Sequence, residues 1–151
     1  MIDIQHAFSN ESLDIPSDTY IQQVINVVLS KFRNSAELSI RIVDNDEITA
    51  LNSRYRHKNS PTNILSFPVD LPAGITLEHE LLGDMVIAAE VVKKEALAQN
   101  KSFIAHFTHM LIHGALHLLG FDHKTDKEAE IMENHEIKIM QELKLPAPYI
   151  L

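Results

Sequence analysis

The stretch His113-Gly114-Ala115-Leu116-His117-Leu118-Leu119-Gly120-Phe121-Asp122-His123 decides how this chain is read. Its apolar residues continue a helix, Gly120 ends one, and three imidazoles fall inside it. His113 and His117 are four positions apart, so a helix sets them on one face a single turn apart, close enough to hold one ion. Gly120 then stops the helix, because glycine takes the left-handed conformation at little steric cost. The turn that follows can swing His123 back to the same point. Three neutral nitrogen ligands with a fourth position open to water form the donor set of a catalytic zinc rather than a structural one. The stretch therefore predicts a metal hydrolase. A His pair at this spacing is weak evidence alone, since most such residues are satisfied core or surface groups. The third His, just past a glycine break and an aspartate, is what favours a metal site.

Upstream, Ser102 is a cap for the helix that carries these residues. Phe103, Phe107, Met110, Leu111, Ile112, Leu116, Leu118 and Leu119 occupy most of its circumference, which predicts a central, buried helix. His106, His109, His113 and His117 share an arc of roughly 80° at 100° per residue. The first two either line a cleft floor, touching substrate or groups behind the ligands, or brace neighbouring loops. Bracing is preferred for His106, and His109 is left open. Gly114 costs about 1 kcal/mol in mid-helix relative to alanine. A closely packed strand, or substrate beside the metal, must need the missing side chain.

Gly114 also separates reaction classes. Helical zinc peptidases carry a glutamate base directly after the first His, and their longer pattern has the third His six residues past the second, as here. With glycine at the position of the base, a peptidase lacks its proton acceptor and becomes the alternative. Asp122 either orients a ligand ring or bonds the backbone of its own turn. Asp84 is either a polar group near the site or a turn residue leading into a strand.

Working outward, Ile2, Ile4 and Phe8 alternate as a short first strand, and Ser17 or Asp18 caps a helix bearing Ile21, Val24, Ile25, Val28, Leu29 and Phe32. Leu38, Ile40 and Ile42 alternate with Ser39, Arg41 and Val43 as a second strand. Asp44 and Asp46 offer caps to a helix ending near Arg54. His57 to Thr62 is a loop. Ile64 to Phe67 is a short strand that Pro68 restricts to a strand end or a sheet edge. Pro72 to Gly74 is a turn, Met85 to Ala89 a buried strand, and Val91, Val92, Ala96 and Leu97 mark a helix. Thr125 and Glu128 form a capping-box signature for a last helix with Met132, Ile139 and Leu143 on one stripe, ended by Pro146 and Pro148. The order predicts an α+β domain, a small mixed β-sheet packed on helices, with residues 1–151 as one domain.

Composition narrows the function classes. The 45% hydrophobic and 23% charged content is that of a globular protein, and the absence of cysteine removes disulfides and thiolate ligands. The N-terminus lacks a basic region followed by an apolar run, and no stretch reaches the roughly 18 apolar residues of a membrane span. A cytoplasmic protein without a membrane partner is the expectation. A net charge of −8 argues against wrapping nucleic acid broadly but leaves room for a local basic cleft. The nearest basic clusters are Arg54, Arg56, His57 and Lys58, and then Lys93 and Lys94, each read on its own as a solvated face.

The His113 to His123 motif, together with Tyr55-Arg56, Pro61-Thr62-Asn63-Ile64-Leu65-Ser66-Phe67-Pro68 and Leu82-Gly83-Asp84, resembles the YbeY-type rRNA maturation factors, bacterial metal-dependent endoribonucleases. The likeness runs from about Leu38 to the last helix, and the loop from Leu71 to Glu80 looks variable. The resemblance implies a zincin-like α+β domain with one zinc held by His113, His117 and His123. It also implies cleavage of single-stranded RNA, linked to 3′-end maturation of 16S rRNA on the small ribosomal subunit and to ribosome quality control, with further ribosome-associated proteins as partners. Arg56 matches the arginine regarded as functional in that family, and is expected to offer a forked donor pair to the phosphate. The nucleophile, water or the RNA 2′-hydroxyl, stays open. A metal-dependent RNA-binding module without catalysis would use the same residues.

Overall fold

The helix starts that Ser, Thr and Asp residues mark in the sequence are the starts found in the computed structural model, which describes residues 2–8, 10–69 and 80–149. Ser17 accepts from the Tyr20 amide and opens α1 (Asp18–Leu29), and Asp44 accepts from the Glu47 amide and opens α2 (Asn45–Arg56). Ser102 opens α4 (Phe103–Leu118) and Thr125 opens α5 (Asp126–Glu142) in the same way. Between α2 and α4 lie β3 (Ile64–Pro68), β4 (Glu80–Ala88) and α3 (Ala89–Ala98), while β1 (Ile2–His6) and β2 (Ala36–Val43) flank α1. The turn expected at Pro72 to Gly74 and most of the loop from Leu71 to Glu80 lie outside the described residues.

Several expected boundaries move. The first strand ends at His6, and Phe8 packs against the core from the loop beyond it. Ala89 begins α3 rather than ending a strand, and β4 starts earlier, at Glu80, because β2 gives it a partner from Ala36 onward. The second helix runs two residues past Arg54, and His57 closes it in the left-handed conformation at φ 58°. Phe32 lies beyond α1, edge-on to Phe121 at 5.2 Å.

The strands order as β1-β2-β4-β3, with β1, β2 and β4 parallel and β3 antiparallel on the edge beside β4. Pro68 is thus tolerated where, among the described residues, no further strand needs its missing N–H. Period-two alternation splits the core. Leu38, Ile40, Ile42, Met85 and Ile87 face α1 and α4, whereas Val43, Leu65, Val86 and Ala88 face Ile48 of α2. α4 is the hub, with α1, α3, α5 and the sheet packed round it. Of its residues, only Ile104, His113 and His117 escape burial. Two of the three openings in the central helix are therefore histidines. Among the described residues no helix is long and apolar enough to cross a membrane.

Candidate metal centre

The end of α4 builds the site. Gly120 takes φ 103°, its amide donating to the His117 carbonyl and the Phe121 amide to the Leu116 carbonyl, both at 3.0 Å. This pair of bonds is the helix-ending turn that a left-handed glycine permits. The turn also aims the ligands. It returns the Phe121 carbonyl to His117, whose Nδ1–H donates to it at 3.0 Å, and it brings His123 back toward the helix. The ring centroids of His123 stand 5.6 Å from His113 and 5.0 Å from His117. One ring nitrogen from each of the three residues lies within 4.8 Å of the others.

His113 is fixed from the opposite side. Its Nδ1–H donates to Glu136 Oε1 at 3.0 Å, from α5. With both Nδ1 atoms committed as donors, the Nε2 atoms of His113 and His117 carry lone pairs, and these meet at 3.1 Å. Two lone pairs at that distance repel unless a cation or proton lies between them. Tetrahedral zinc with Zn–N of 2.0–2.1 Å needs ligand nitrogens about 3.3 Å apart. The donor set fits such an ion. Burial and the neighbouring rings of His113 and His123 hold His117 below the usual imidazole range, which keeps its lone pair available.

The three histidines line a cleft of about 780 Å³ whose other walls include Arg56, Asn63, Ser66, Phe67 and Phe121. Arg56 sits on the last turn of α2, and among the described residues nothing forms an ion pair with its guanidinium. The loop after it is pinned at both ends. Buried Asn52 donates to the Ser60 carbonyl at 2.8 Å, and Asn63 donates to Glu95 at 3.1 Å. Arg54 lies over the Tyr55 ring at 5.4 Å and Lys93 over Phe103 at 5.4 Å; among the described residues of the basic clusters, only Arg56 lines the cleft.

Other expected site residues fall elsewhere. His106 and His109 do not line the cleft: both are buried, His106 bonded to Glu95 at 2.9 Å and His109 to Glu136. His106 thus braces α3 rather than a loop, and His109 reaches the site only through Glu136. Asp122 accepts from the backbone amide of His123 at 2.8 Å, so it shapes the turn, and among the described residues it bonds to no ring. Asp84 lies on the sheet face turned away from α4, accepting from Ser39. Gly114 is explained by strand packing. A Cβ there would come within 2.7 Å of Ile64 Cδ1 and 2.9 Å of Met85 Cε.

Glu136 is the residue that sequence reading missed. It is fully buried, and its carboxylate accepts from His109, His113 and, at 2.8 Å, Tyr149. Burial alone would push its carboxyl up, but the hydrogen bonds from His109 and His113 prevail and hold it at about 2. Burial, followed by the adjacent Glu136 charge, raises the Tyr149 hydroxyl well above its ordinary value, so it stays a donor.

A family model described as endoribonuclease YbeY matches residues 5–144. The chain belongs to this endoribonuclease family. Its fold is similar to the solution structure of TM1509 from Thermotoga maritima, at a TM-score of 0.62 and 22% identity, over 95% of this chain and 92% of that one.

Proposed function

We propose that this chain is a zinc-dependent endoribonuclease cleaving single-stranded RNA, with one zinc held by His113, His117 and His123 and the scissile phosphate gripped by Arg56. On this reading residues 1–151 act as one catalytic domain in the cytoplasm. The physiological substrate is the 3′ end of precursor 16S rRNA on the small ribosomal subunit, with a role in ribosome quality control. One observation carries the reading. The lone pairs of His113 and His117 converge on a cleft wall that also presents an arginine with no ion partner among the described residues, in a member of an endoribonuclease family.

The division of labour follows from the residues. Arg56 donates through a planar fork to phosphate oxygens and stabilises the charge that builds on them. Ile64, Leu65, Phe67 and Phe121 give the cleft an apolar wall that thins the water around the scissile bond. When bound, zinc supplies a +2 charge, undiminished by three neutral ligands, and lowers the pKa of a coordinated water toward about 7. The peptidase alternative finds no base beside His113, because Gly114 occupies that position and Ile64 and Met85 fill the space.

The test is turnover of excess single-stranded RNA, lost on chelation and restored by zinc. His117→Ala serves as the control against contaminating nuclease, and should lose both cleavage and its metal after dialysis against a weak chelator. Full metal stoichiometry in that variant refutes ligation by His117. Stoichiometric RNA binding without turnover by wild type makes the chain a metal-dependent binding module instead.

A further inference from the structure

A segment following α5 is tied into the site. Lys144, at φ 60°, turns the chain back, and the Leu145 amide donates to the Met140 carbonyl at 2.9 Å. Lys101 Nζ donates to the Pro148 carbonyl at 2.7 Å, anchoring the segment to the start of α4. Tyr149 then stands edge-on to His109, with centroids 5.3 Å apart and planes at 87°, and its hydroxyl reaches Glu136 Oε2. His109 donates to the same oxygen, while Oε1 receives His113.

We propose that Glu136 and Tyr149 are positioning residues for His113, with Tyr149 acting through the Glu136 carboxylate. This rests on the reading of His113 as a metal ligand. The physical chain is short. Without Tyr149 each carboxylate oxygen would keep a single donor, and the group could rock about its last torsion, which is broad. Two donors on Oε2 remove that freedom and leave Oε1 aimed at His113. His109 and Tyr149 both donate to Oε2, so Oε1 faces His113 Nδ1 as an acceptor and that ring nitrogen carries the hydrogen. In the neutral ring a hydrogen on Nδ1 leaves the lone pair on Nε2, facing His117. The relay therefore builds the metal-ready ring before any ion arrives, and the ion need not select it from a mixture.

The test compares wild type, Tyr149→Phe, Glu136→Gln and the double variant by two readouts. The first is zinc affinity, by competition with a chromophoric chelator. The second is the His113 ring tautomer, from side-chain ¹⁵N shifts in metal-free protein. Glu136→Gln is expected to weaken zinc binding by about 10–100-fold, the usual effect of losing a group behind a ligand. Tyr149→Phe should weaken it less, by about fivefold, because His109 still holds Oε2. Adding Tyr149→Phe to Glu136→Gln should cost nothing more, because the two act in series. Wild type should show a single Nδ1–H form of His113, and Glu136→Gln a mixture.

Zinc affinity unchanged in Tyr149→Phe, or equally weakened with and without Glu136, overturns the relay. If Glu136→Gln proves too unstable to study, the conservative Tyr149→Phe still decides, since its His113 shifts must move. Should wild type bind no zinc, the metal reading falls separately. A His113 tautomer indifferent to both substitutions then refutes the relay on its own.

Discussion

Replacing Arg56 probes the step from cleft to catalysis. The side chain is exposed on the last turn of α2, so truncating it should shift stability by no more than about 0.5 kcal/mol. It touches none of the three histidines through any hydrogen bond among the described residues, so metal content should stay at the wild-type level. Its lost contribution is to charge that develops on the phosphate. Removing one such preorganised donor costs about 10²–10³ in kcat, or roughly 2.7–4 kcal/mol of transition-state stabilisation. Arg56→Lys should recover only a small part, because an ammonium is a point charge and cannot reproduce a two-pronged contact. The assay is steady-state cleavage of a fluorescent single-stranded oligonucleotide, with metal per chain and thermal unfolding measured on the same samples. An alanine variant cleaving within a few-fold of wild type, folded and metal-loaded, makes Arg56 an ordinary solvated residue and removes the phosphate grip from the mechanism.

Gly114→Glu supplies the carboxylate that helical zinc peptidases use, but drives it into the tips of Ile64 and Met85. We expect damaged RNA cleavage, a loss of at least about 2 kcal/mol in denaturant unfolding, and no peptidase activity. Metal-dependent peptide hydrolysis by wild type would reverse that assignment. Burial holds His106 below its reference pKa of 6.5 in the fold, against the opposing pull of Glu95. The unfolded chain therefore binds more protons there, and its contribution to stability is complete above 6.5 and is lost as pH falls. His106→Gln should flatten the stability–pH curve of metal-free protein on the acid side of that value, and an unchanged curve would show that the group does not discharge on folding. RNA affinity of a metal-loaded, inactive variant should fall with log salt at a slope of roughly −1.4 to −2.8, for about two to four phosphates at −0.7 each. A slope of about −6 would reveal a broad basic surface and sink the short-contact reading.

Much of this architecture is legible because its signals are local. A capping side chain and the amide it accepts are three residues apart, as at Ser102 and Ala105. Apolar periodicity marks α1 and β2, and Gly120 ends α4 within the same few residues that carry the ligands. The misplaced boundaries have tertiary causes. Glu80 to Gly83 join β4 because β2 runs alongside, a pairing of distant segments that no local alternation signals. Asp84 reads from sequence as either a neighbour of the site or a turn residue leading into a strand, and it is neither, lying within β4. The pleat instead turns it to the far face, one residue from Met85, which packs against α4.

Glu136 left a trace that can be read in hindsight. It sits four residues from both Met132 and Met140, each 1% exposed, on the stripe that α5 turns to the core. An ionised carboxylate on such a stripe is too costly to bury without partners, so its place there implies donors from other elements. The sequence could not say which donors, because His109 and His113 lie 27 and 23 positions away and meet Glu136 only once α5 has folded across α4. The histidines invite the same lesson in reverse. Four of them share one stripe of one helix, yet the two nearer its start are held by carboxylates behind the cleft and the two nearer its end open into it. Spacing assigns the helix face; which part of that face stays open is decided by the elements that cover it. Here α3 and α5 cover the first turns, and the glycine turn leaves the last one free.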